Sequence, residues 1–346
     1  MKVNFCTLFN ASYLSRGVVL YQSLEKYASR FHLYVIAFDE DCALVLEEMR
    51  LPNLTIIRLK DFENAHLLNA KSNRTITEYC WTCSSASIKY CIDTFDLENC
   101  TYIDADMEFF QDPAIIINRF PDANCIITPH RYSPPYDQSR ESGKYCVQFV
   151  YFKKNDDGMK LLNWWVDSCI EWCYNRVEEG KFGDQKYLDR FKELGVGVYD
   201  ADEDMDGLAP WNIDRYSVWR ENNEVIATSN LEKVKFKPIF YHFHGLKIFS
   251  NQIVQYTGHL YELNKDSIEN LYQPYVARLL NVSNSIQKSH PTLYPNGNLG
   301  PSPHLPIGVR TVINLFLDEL KSSIKNKRFP NIYKRIRRHY YFSIPN

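Results

Sequence analysis

Several features are scarce or missing in this sequence of 346 residues. No apolar run approaches the ~20 residues that span a bilayer, and the opening MKVNFCTLF lacks the long apolar stretch of a signal peptide. No polar low-complexity tract suggests bulk disorder. Basic residues are not in excess, since 40 Lys and Arg stand against 42 Asp and Glu; this balance disfavours a dedicated nucleic-acid-binding protein. We therefore expect a cytoplasmic globular protein.

Ten cysteines are present, but they are scattered through predicted strands and helices. Without a secretory signal, most of them are expected to be free thiols. Two pairs invite a zinc interpretation, Cys80 with Cys83 and Cys169 with Cys173. The first spacing suits zinc, but the second is loose and no compact second pair follows, so a structural zinc site is disfavoured.

Apolar runs alternate with helical patterns in the first half of the chain, which predicts an α/β fold with helices on both faces of a mixed, mostly parallel sheet. The predicted strands are Lys2–Phe9, Phe31–Phe38, Leu54–Leu59 and the run that begins at Cys100. The predicted helices are Tyr13–Ala28, Cys42–Met49 and Thr75–Thr94.

The second half is less regular. Strands are predicted at Asn124–His130, Val147–Phe152 and Lys237–Phe243, and helices at Asp157–Glu178, Gly183–Leu194, Asp266–Leu280 and Val309–Ser322. Ser283–Pro306 is rich in Pro, Asn, Ser and Gly, which is typical of a linker or surface loop. We expect a catalytic domain over residues 1–265, divided at about 110, and a helical extension with a basic tail over residues 266–346.

Two carboxylates, Asp104 and Asp106, follow directly after an apolar strand. Their period-2 spacing puts both on one side of the chain, at the sheet edge where ligands of α/β proteins bind. Two hard oxygen ligands suit Mg²⁺ or Mn²⁺. Because a polar pair in an apolar context needs a partner, cation binding is favoured over a structural turn.

A second polar group ends the late strand, at Tyr241-His-Phe-His-Gly-Leu-Lys247. A histidine is a ligand that suits Mn²⁺, Gly245 allows close approach of backbone to phosphate, and Lys247 offers a point charge. Either His242 or His244 could be the ligand, and His242 is favoured.

The segment Tyr102–Met107 resembles the metal-binding motif of GT-A glycosyltransferases, particularly the family-8 group that includes glycogenin and bacterial lipopolysaccharide sugar transferases. The segment His242–Gly245 is similar to the late metal-ligating segment of that group, with Lys247 one residue early. Ala209–Asn212 resembles a segment of bacterial nucleotide-diphospho-sugar transferases. The resemblance covers roughly residues 1–250 and implies a GT-A fold, Mn²⁺ or Mg²⁺, and a nucleotide-diphosphate sugar, with UDP favoured over GDP.

The resemblance also implies roles for individual residues around the donor. The first loop and helix would hold the nucleoside, Arg74 would approach the donor, and Asp184 would lie near the sugar. Cys146-Val-Gln148 departs from the family's Asn-x-Gly, which leaves the stereochemistry open. The residues expected to bind the nucleotide sugar are Phe9, Asn10, Tyr13, Arg16, Arg74, Trp81, Asp104, Gly245 and Lys247; the expected catalytic residues are Asp184 and Gln148.

Three alternatives remain open for the acidic and basic segments. Asp184 is equally interpretable as a helix cap. The acidic run Asp202–Asp206 is best explained as a solvated loop, although one member could serve as general base. The basic tail is either solvated or lies on an anionic membrane surface; its cations are Lys321, Lys325, Lys327, Arg328, Lys334, Arg335, Arg337 and Arg338.

The sequence thus predicts a metal-dependent glycosyltransferase acting on a glycan or lipid-linked acceptor, with surface polysaccharide or lipopolysaccharide synthesis as its setting. A nucleotidyltransferase is disfavoured because the first loop, Asn10–Tyr13, lacks the Gly-rich phosphate loop usual in that class. A non-catalytic nucleotide-sugar-binding protein is the third hypothesis, and it would need no metal carboxylates.

Overall fold

The computed structural model of the protein describes residues 2–325, 330–332, 336 and 338–344. In chain order, its strands are β1 (Val3–Phe9), β2 (Phe31–Ala37), β3 (Leu54–Arg58), β4 (Asn99–Ile103), β5 (Met107–Phe109), β6 (Cys125–Pro129), β7 (Tyr145–Lys153), β8 (Val198–Asp200), β9 (Tyr216–Glu221), β10 (Glu224–Ser229), β11 (Lys235–Phe236), β12 (Phe240–His242), β13 (Lys247–Ile248), β14 (Ile253–Gln255) and β15 (Tyr341–Ser343). Its α-helices are α1 (Leu14–Tyr27), α2 (Glu40–Met49), α3 (Leu59–Phe62), α4 (Ala65–Lys71), α5 (Ile76–Phe95), α6 (Ala114–Asn118), α7 (Ser139–Ser142), α8 (Asp156–Glu171), α9 (Phe191–Leu194), α10 (Lys265–Ser267), α11 (Gln273–Ser289) and α12 (Val309–Lys325).

A seven-stranded sheet in the order β3-β2-β1-β4-β7-β6-β8 forms the centre of the fold. The pairs β2–β3, β1–β2, β1–β4 and β6–β8 are parallel, whereas β7 runs antiparallel to both of its neighbours. The predicted mixed, mostly parallel sheet flanked by helices is therefore confirmed.

Side chains of β1 alternate between two hydrophobic cores, one on each face of the sheet. Phe5 and Phe9 belong to the core that includes α1 and α11, and Cys6 and Leu8 to the core that includes α5 and α8. Because successive side chains of a strand point to opposite faces, a strand buried on both faces reads as a continuous apolar run. All seven residues of β1 are buried.

The cap of α5 fixes the helix that lies behind the site. The Thr75 hydroxyl and the Glu78 carboxylate form a reciprocal capping box at its start, and Asp96 ends it in the left-handed conformation. Such a box satisfies two backbone N–H groups that have no partner within the helix. The helix therefore begins one residue after its cap. Ser84 and Ser87 are both buried, and the Ser87 hydroxyl contacts Cys6 of β1.

Three predicted boundaries are corrected. The helix predicted to reach Glu178 ends at Glu171, because Trp172 is extended and donates its indole N–H to Glu178. The segment Gly183–Leu194 begins with a left-handed Gly183 and a 3₁₀ turn, so only its end is α-helical. The predicted strand Lys237–Phe243 is shortened to β12.

The predicted linker Ser283–Pro306 is also wrong at its start. Helix α11 continues to Ser289, and Val282 and Ile286 are buried. These residues extend the helical spacing of Leu279, but the polar composition around them masks the pattern.

The end of the described chain returns to the domain. Strand β15 pairs antiparallel with β14, an addition to the predicted helical extension. The basic residues Lys327, Arg328, Lys334, Arg335 and Arg337 lie outside the described residues, as does the side chain of Lys325. Among the described helices, none combines the length and the apolar character that crossing a bilayer requires.

Candidate active site

Strand pairing brings the late histidine to the two carboxylates. Asp104 and Asp106 occupy the turn between β4 and β5, and β12 pairs antiparallel with β5 so that His242 lies opposite Met107. The backbone N–H of Phe243 donates to the carbonyl of Asp106 at 2.9 Å. Residues more than 130 positions apart in sequence thus meet at the end of β4.

The three side chains have the geometry of a cation site. Nε2 of His242 lies 3.0 Å from an Asp106 oxygen and 3.8 Å from an Asp104 oxygen, and one ligand atom from each residue lies within 4.8 Å of the others. Two carboxylates and one imidazole suit Mn²⁺, and the oxygens also suit Mg²⁺. These residues therefore fit a divalent cation.

Electrostatics of the trio show why a cation is favoured there. Burial alone would raise the pKa of Asp106, but the neighbouring His242 lowers it below its ordinary value. For Asp104, burial outweighs His242 and, with the charge of Asp106, raises the pKa to about 6. Burial alone would lower the pKa of His242, but Asp106 and Asp104 raise it well above its usual range. The carboxylates therefore attract positive charge strongly.

Gln148, on β7, contacts the histidine from the other side. Its Oε1 lies 2.9 Å from Nδ1 of His242. Because an amide oxygen only accepts, Nδ1–H of the imidazole donates and Nε2 is left toward the carboxylates. In contrast, His244 is exposed and is not part of the three-residue group.

A cavity of about 410 Å³ opens beside this site. Asp104 and His242 form part of its wall, and aromatic side chains form much of the rest. Its volume falls in the usual range for small-molecule sites, about 300–1,000 Å³. The aromatic residues that line it are Trp81, Tyr102, Tyr132, Phe182, Trp211 and Tyr261.

Asp184 is buried in the wall of the cavity. The Ser84 hydroxyl donates to its carboxylate at 2.6 Å. Burial outweighs this hydrogen bond, and together with the charge of Asp104 it raises the pKa of Asp184 to about 7. The Asp184 side chain makes no capping hydrogen bond to the following 3₁₀ turn, so the structure does not support the alternative of a helix cap.

The predicted nucleoside loop divides into core and site-facing residues. Phe9 is buried and its ring fills the space above Gly17, where a Cβ atom would come within 2.2 Å. Asn10 caps the first turn by accepting from the Ser12 backbone N–H. Tyr13 is 40% exposed. The partial burial of its side chain, together with the charge of Asp106, raises its pKa. Tyr13 is therefore the residue of this loop with a surface open to a ligand beside the carboxylates.

Arg16 is buried behind Tyr13. Its guanidinium lies 4.5 Å from the centre of the Tyr13 ring, and Nη2 donates to the carbonyl of Leu246 at 2.9 Å. Nη1 has no hydrogen-bond partner among the described residues. Arg16 also contributes to the lowered pKa of Asp106, so its positive charge acts on the carboxylates of the site.

Of the other residues predicted to bind the donor, one lines the cavity and three do not. The guanidinium carbon of Arg74 lies 3.8 Å from the centre of the Tyr174 ring. Its Nη2 donates to the carbonyls of Ile170 and Glu171 at the end of α8, so Arg74 is held there. Trp81 lines the cavity. Gly245 has φ +79°, and Lys247 is exposed at the start of β13; neither lines the cavity.

The acidic run is not a simple solvated loop. Asp206 is buried and pairs with Arg119, and Asp204 accepts from the Tyr216 hydroxyl at 2.5 Å and pairs with Arg131. Only Asp202 and Glu203 are exposed. These ion pairs hold the loop in place, and none of its carboxylates lines the cavity.

All ten cysteines are free, as most were predicted to be. Neither of the cysteine pairs considered for zinc, and disfavoured, forms part of a ligand group within the described chain. A different trio, Cys6, Cys91 and Cys100, is buried together in the core. The trio joins β1, α5 and β4, and sequence spacing alone does not bring it together.

Several residues of the cavity were not predicted from the sequence. The His130 ring stacks on the Tyr132 ring, with 4.4 Å between ring centres, and packs edge to face on Trp211, with 5.0 Å between ring centres. The ring centres of Trp211 and His242 are 5.3 Å apart. Burial lowers the pKa of His130 to about 3, so its ring is neutral. The aromatic residues just after β6 were the one available signal.

Fold and site together define an α/β protein with a candidate cation centre at the edge of a mostly parallel sheet. No protein-family model matches the chain. The chain is 30% identical over 297 residues to YfnF of Bacillus subtilis (strain 168), described as uncharacterized, with 83% of this chain and 95% of YfnF covered. YfnD of the same organism, also described as uncharacterized, is 28% identical over 292 residues, with 83% and 92% covered. The chain belongs to the family of YfnF.

Two solved structures are similar to the chain at low identity. One is the galactosyltransferase LgtC in complex with donor and acceptor sugar analogues, at 13% identity and a TM-score of 0.46, covering 81% of this chain and 96% of LgtC. The other is mouse xyloside xylosyltransferase 1, at 11% identity and a TM-score of 0.43, covering 70% and 97%. With TM-scores below 0.5, these structures assign no role to any residue of this chain.

Proposed function

We propose that the protein is a metal-dependent glycosyltransferase of the GT-A type. It moves a sugar from a nucleotide-diphosphate donor, a UDP-sugar rather than a GDP-sugar, onto a glycan or lipid-linked acceptor in surface polysaccharide or lipopolysaccharide synthesis. The observation that carries the proposal is the convergence of Asp104, Asp106 and His242 beside an aromatic cavity. Residues 1–110 form the nucleotide-binding half, 111–265 the sugar-binding half and 266–346 an extension.

Asp104, Asp106 and His242 would hold Mn²⁺ or Mg²⁺. When bound, the cation supplies positive charge that stabilises the diphosphate leaving group. Arg16 adds its unpaired Nη1 donor from the carboxylate side of the site. Gln148 keeps the imidazole in the orientation that cation binding needs. These groups are fixed before the donor binds, which is the arrangement that gives electrostatic stabilisation most effect.

Asp184 acts on the sugar side of the cavity. During transfer, the bond from the sugar C1 to the diphosphate oxygen breaks, and a bond from C1 to the acceptor oxygen forms. The acceptor hydroxyl loses its proton. Asp184 has a pKa of about 7 and lines the cavity, so its carboxylate is suited to hydrogen-bond a sugar hydroxyl and accept a proton near neutral pH.

The decisive experiment measures donor turnover and its products. Wild-type protein with Mn²⁺ and a panel of UDP- and GDP-sugars should release a nucleoside diphosphate, and Asp106→Ala should abolish this release while keeping the thermal melting of the wild type. Asp93→Ala removes a carboxylate at the surface of α5 and should leave turnover unchanged. Retained turnover in Asp106→Ala would contradict the assignment.

The same assay separates the two alternative functions. Inorganic pyrophosphate as product would indicate a nucleotidyltransferase. Tight donor binding with neither hydrolysis nor transfer would indicate a non-catalytic nucleotide-sugar-binding protein. A thermal-shift screen with Mn²⁺ names the donor independently, because a ligand that binds the folded state raises its apparent stability.

A peripheral contact with the inner face of the membrane is part of the proposal. Helix α12 exposes Val309, Ile313 and Leu317, which share one face at helical spacing, and the basic tail follows it. An apolar face next to clustered cations is suited to an anionic lipid surface. Sedimentation with anionic liposomes tests this: deletion of residues 307–346 should abolish co-sedimentation, and unchanged co-sedimentation would refute the contact.

A further inference from the structure

The cavity beside the cation site carries acidic groups and no cationic side chain. Asp104 and Asp184 are among its 19 lining residues, and no Lys or Arg is found among them. His130 is neutral because burial lowers its pKa to about 3. His244 also lines the cavity, and its enclosure there, with the charge of His242, lowers its pKa to about 4. His242 is needed as a ligand by the proposed cation. The lining therefore offers no fixed positive charge to an anionic sugar.

Three cations near the cavity are paired with carboxylates outside its lining, and Arg16 is assigned to the diphosphate in the proposed function. Lys144 pairs with Asp200 at 3.2 Å, and Lys186 pairs with Asp189 at 2.9 Å. Arg131 is committed to the acidic loop through Asp204. A bound divalent cation is offset by its own two carboxylates, and the donor diphosphate adds more negative charge. A carboxylate on the sugar would therefore meet like charge at short range.

Hydrogen-bonding groups that carry no positive charge are present in the lining. The indole N–H of Trp211, a residue that is 3% exposed, has no hydrogen-bond partner among the described residues. A buried donor without a partner is costly, and Trp211 lines the cavity. Its N–H matches the oxygen of a sugar hydroxyl, and the Asp184 carboxylate matches a hydroxyl donor.

We infer that the transferred sugar carries no carboxylate, and that the cavity discriminates against uronic acids and other acidic sugars. This inference rests on the proposed function, since it places the sugar of a metal-bound donor in the cavity that begins at Asp104 and His242. Discrimination comes from the acidic side chains of the lining: an uncharged sugar loses nothing to repulsion, whereas a C6 carboxylate faces Asp184 and the diphosphate with no Lys or Arg in the lining to offset its charge.

Matched donors test the inference by direct binding. Dissociation constants are measured by calorimetry with Mn²⁺ at about pH 8, where histidines with ordinary pKa values near 6.5 are neutral. The ligands are UDP alone, UDP-glucose against UDP-glucuronate, and UDP-galactose against UDP-galacturonate. Each uronate should bind at least about tenfold more weakly than its hexose partner, a difference typical of an unpaired charge in a partly desolvated site.

A charge-removing variant shows where the discrimination arises. Asp184→Asn keeps the size of the side chain and an oxygen that can accept from Ser84. It should therefore reduce the difference in dissociation constant between each hexose donor and its uronate partner, which is the gap compared below. Asp93→Asn, at the surface of α5, is the matched control and should leave the gap unchanged. A gap that is the same in Asp184→Asn as in the wild type would contradict the role given to the cavity lining.

The outcomes separate the inference from the proposed function. If UDP binds with Mn²⁺ but uronates bind as tightly as hexoses, the inference is overturned and the proposed function stands. If neither UDP nor any UDP-sugar binds with Mn²⁺, the UDP-dependent function itself is refuted.

Discussion

Gln148 and His242 form a hydrogen bond of 2.9 Å that joins two different sheets. Gln148 belongs to β7 of the central sheet, whereas His242 ends β12 in the two-stranded sheet with β5. With Nδ1 occupied by the amide, Nε2 lies 3.0 Å from Asp106. The rigid central sheet thereby sets the orientation of a side chain in the smaller one.

Removing this hydrogen bond should weaken cation binding. Partners that orient a ligating histidine typically contribute roughly 10–100-fold to metal affinity, so Gln148→Ala should raise the dissociation constant for Mn²⁺ by that factor, whereas Gln148→Glu should retain near wild-type affinity. Electron paramagnetic resonance of free Mn²⁺ gives these constants. Gln22→Ala, at an exposed position of α1, is the control, and unchanged affinity in Gln148→Ala would show that the amide does not position the ligand.

Cation affinity should rise with pH. Burial alone would lower the pKa of His242, but Asp106 and Asp104 raise it above its usual value, so below that pKa an incoming cation must displace a proton. The apparent affinity then increases with pH by up to about tenfold per unit, and binding releases protons.

Calorimetry in two buffers of different ionisation enthalpy measures this proton release directly. His242→Gln should bind the cation more weakly and show a smaller pH dependence, the remainder coming from Asp104, whose pKa is raised to about 6. His290→Gln changes a surface histidine paired with Glu48 and should behave as the wild type. Affinity that stays constant between about pH 6 and about pH 8 would argue against His242 as a ligand.

Regular, strongly patterned segments were predictable from sequence. The first strands and helices deviate by one or two residues from their predicted bounds because apolar alternation and helical spacing report burial directly. The end of α8 was not predictable, because Trp172 leaves the helix and donates its indole N–H to Glu178, a contact that helical spacing does not signal. Likewise, α11 extends through a polar stretch because Ile286 finds a place in the core.

Within the candidate site, local motifs were visible but partnerships were not. Asp104 and Asp106 stand out because they interrupt an apolar context, and the late histidine stands out beside a glycine. The contact of Gln148 with His242 depends on the register of two sheets, and the engagement of Arg74 by the end of α8 depends on helix packing. Neither contact follows from a short-range sequence pattern, so neither could be predicted without the structure.

Asp184→Asn should stabilise the free protein increasingly as pH rises. Burial raises the folded-state pKa of Asp184 to about 7, whereas an unfolded chain has an Asp pKa of about 3.9. Between these values the folded state binds more protons than the unfolded state, so stability falls as pH rises through this window and the cost is fully present above it. Asparagine has no proton to lose.

The difference in unfolding free energy between Asp184→Asn and wild type should therefore grow by at most about 1.4 kcal/mol per pH unit from about pH 4 to about pH 7, and then level off. Urea unfolding at several pH values measures it. Asp93→Asn provides the baseline for an exposed carboxylate. A difference that stays constant with rising pH would mean that folding does not raise the pKa of Asp184, and one that shrinks would mean that folding lowers this pKa.

Arg16 should contribute more to donor binding than to folding. Its Nη2 bond to Leu246 supports the structure, but Nη1 has no partner among the described residues. A charge-assisted hydrogen bond to a diphosphate is worth about 1.5–3 kcal/mol, so Arg16→Met should weaken UDP binding roughly 10–100-fold. Arg119→Met breaks the buried pair with Asp206 and should lower the melting temperature while UDP affinity is kept. If Arg16→Met instead lowers only the melting temperature, the residue is a structural support for the loop after β1.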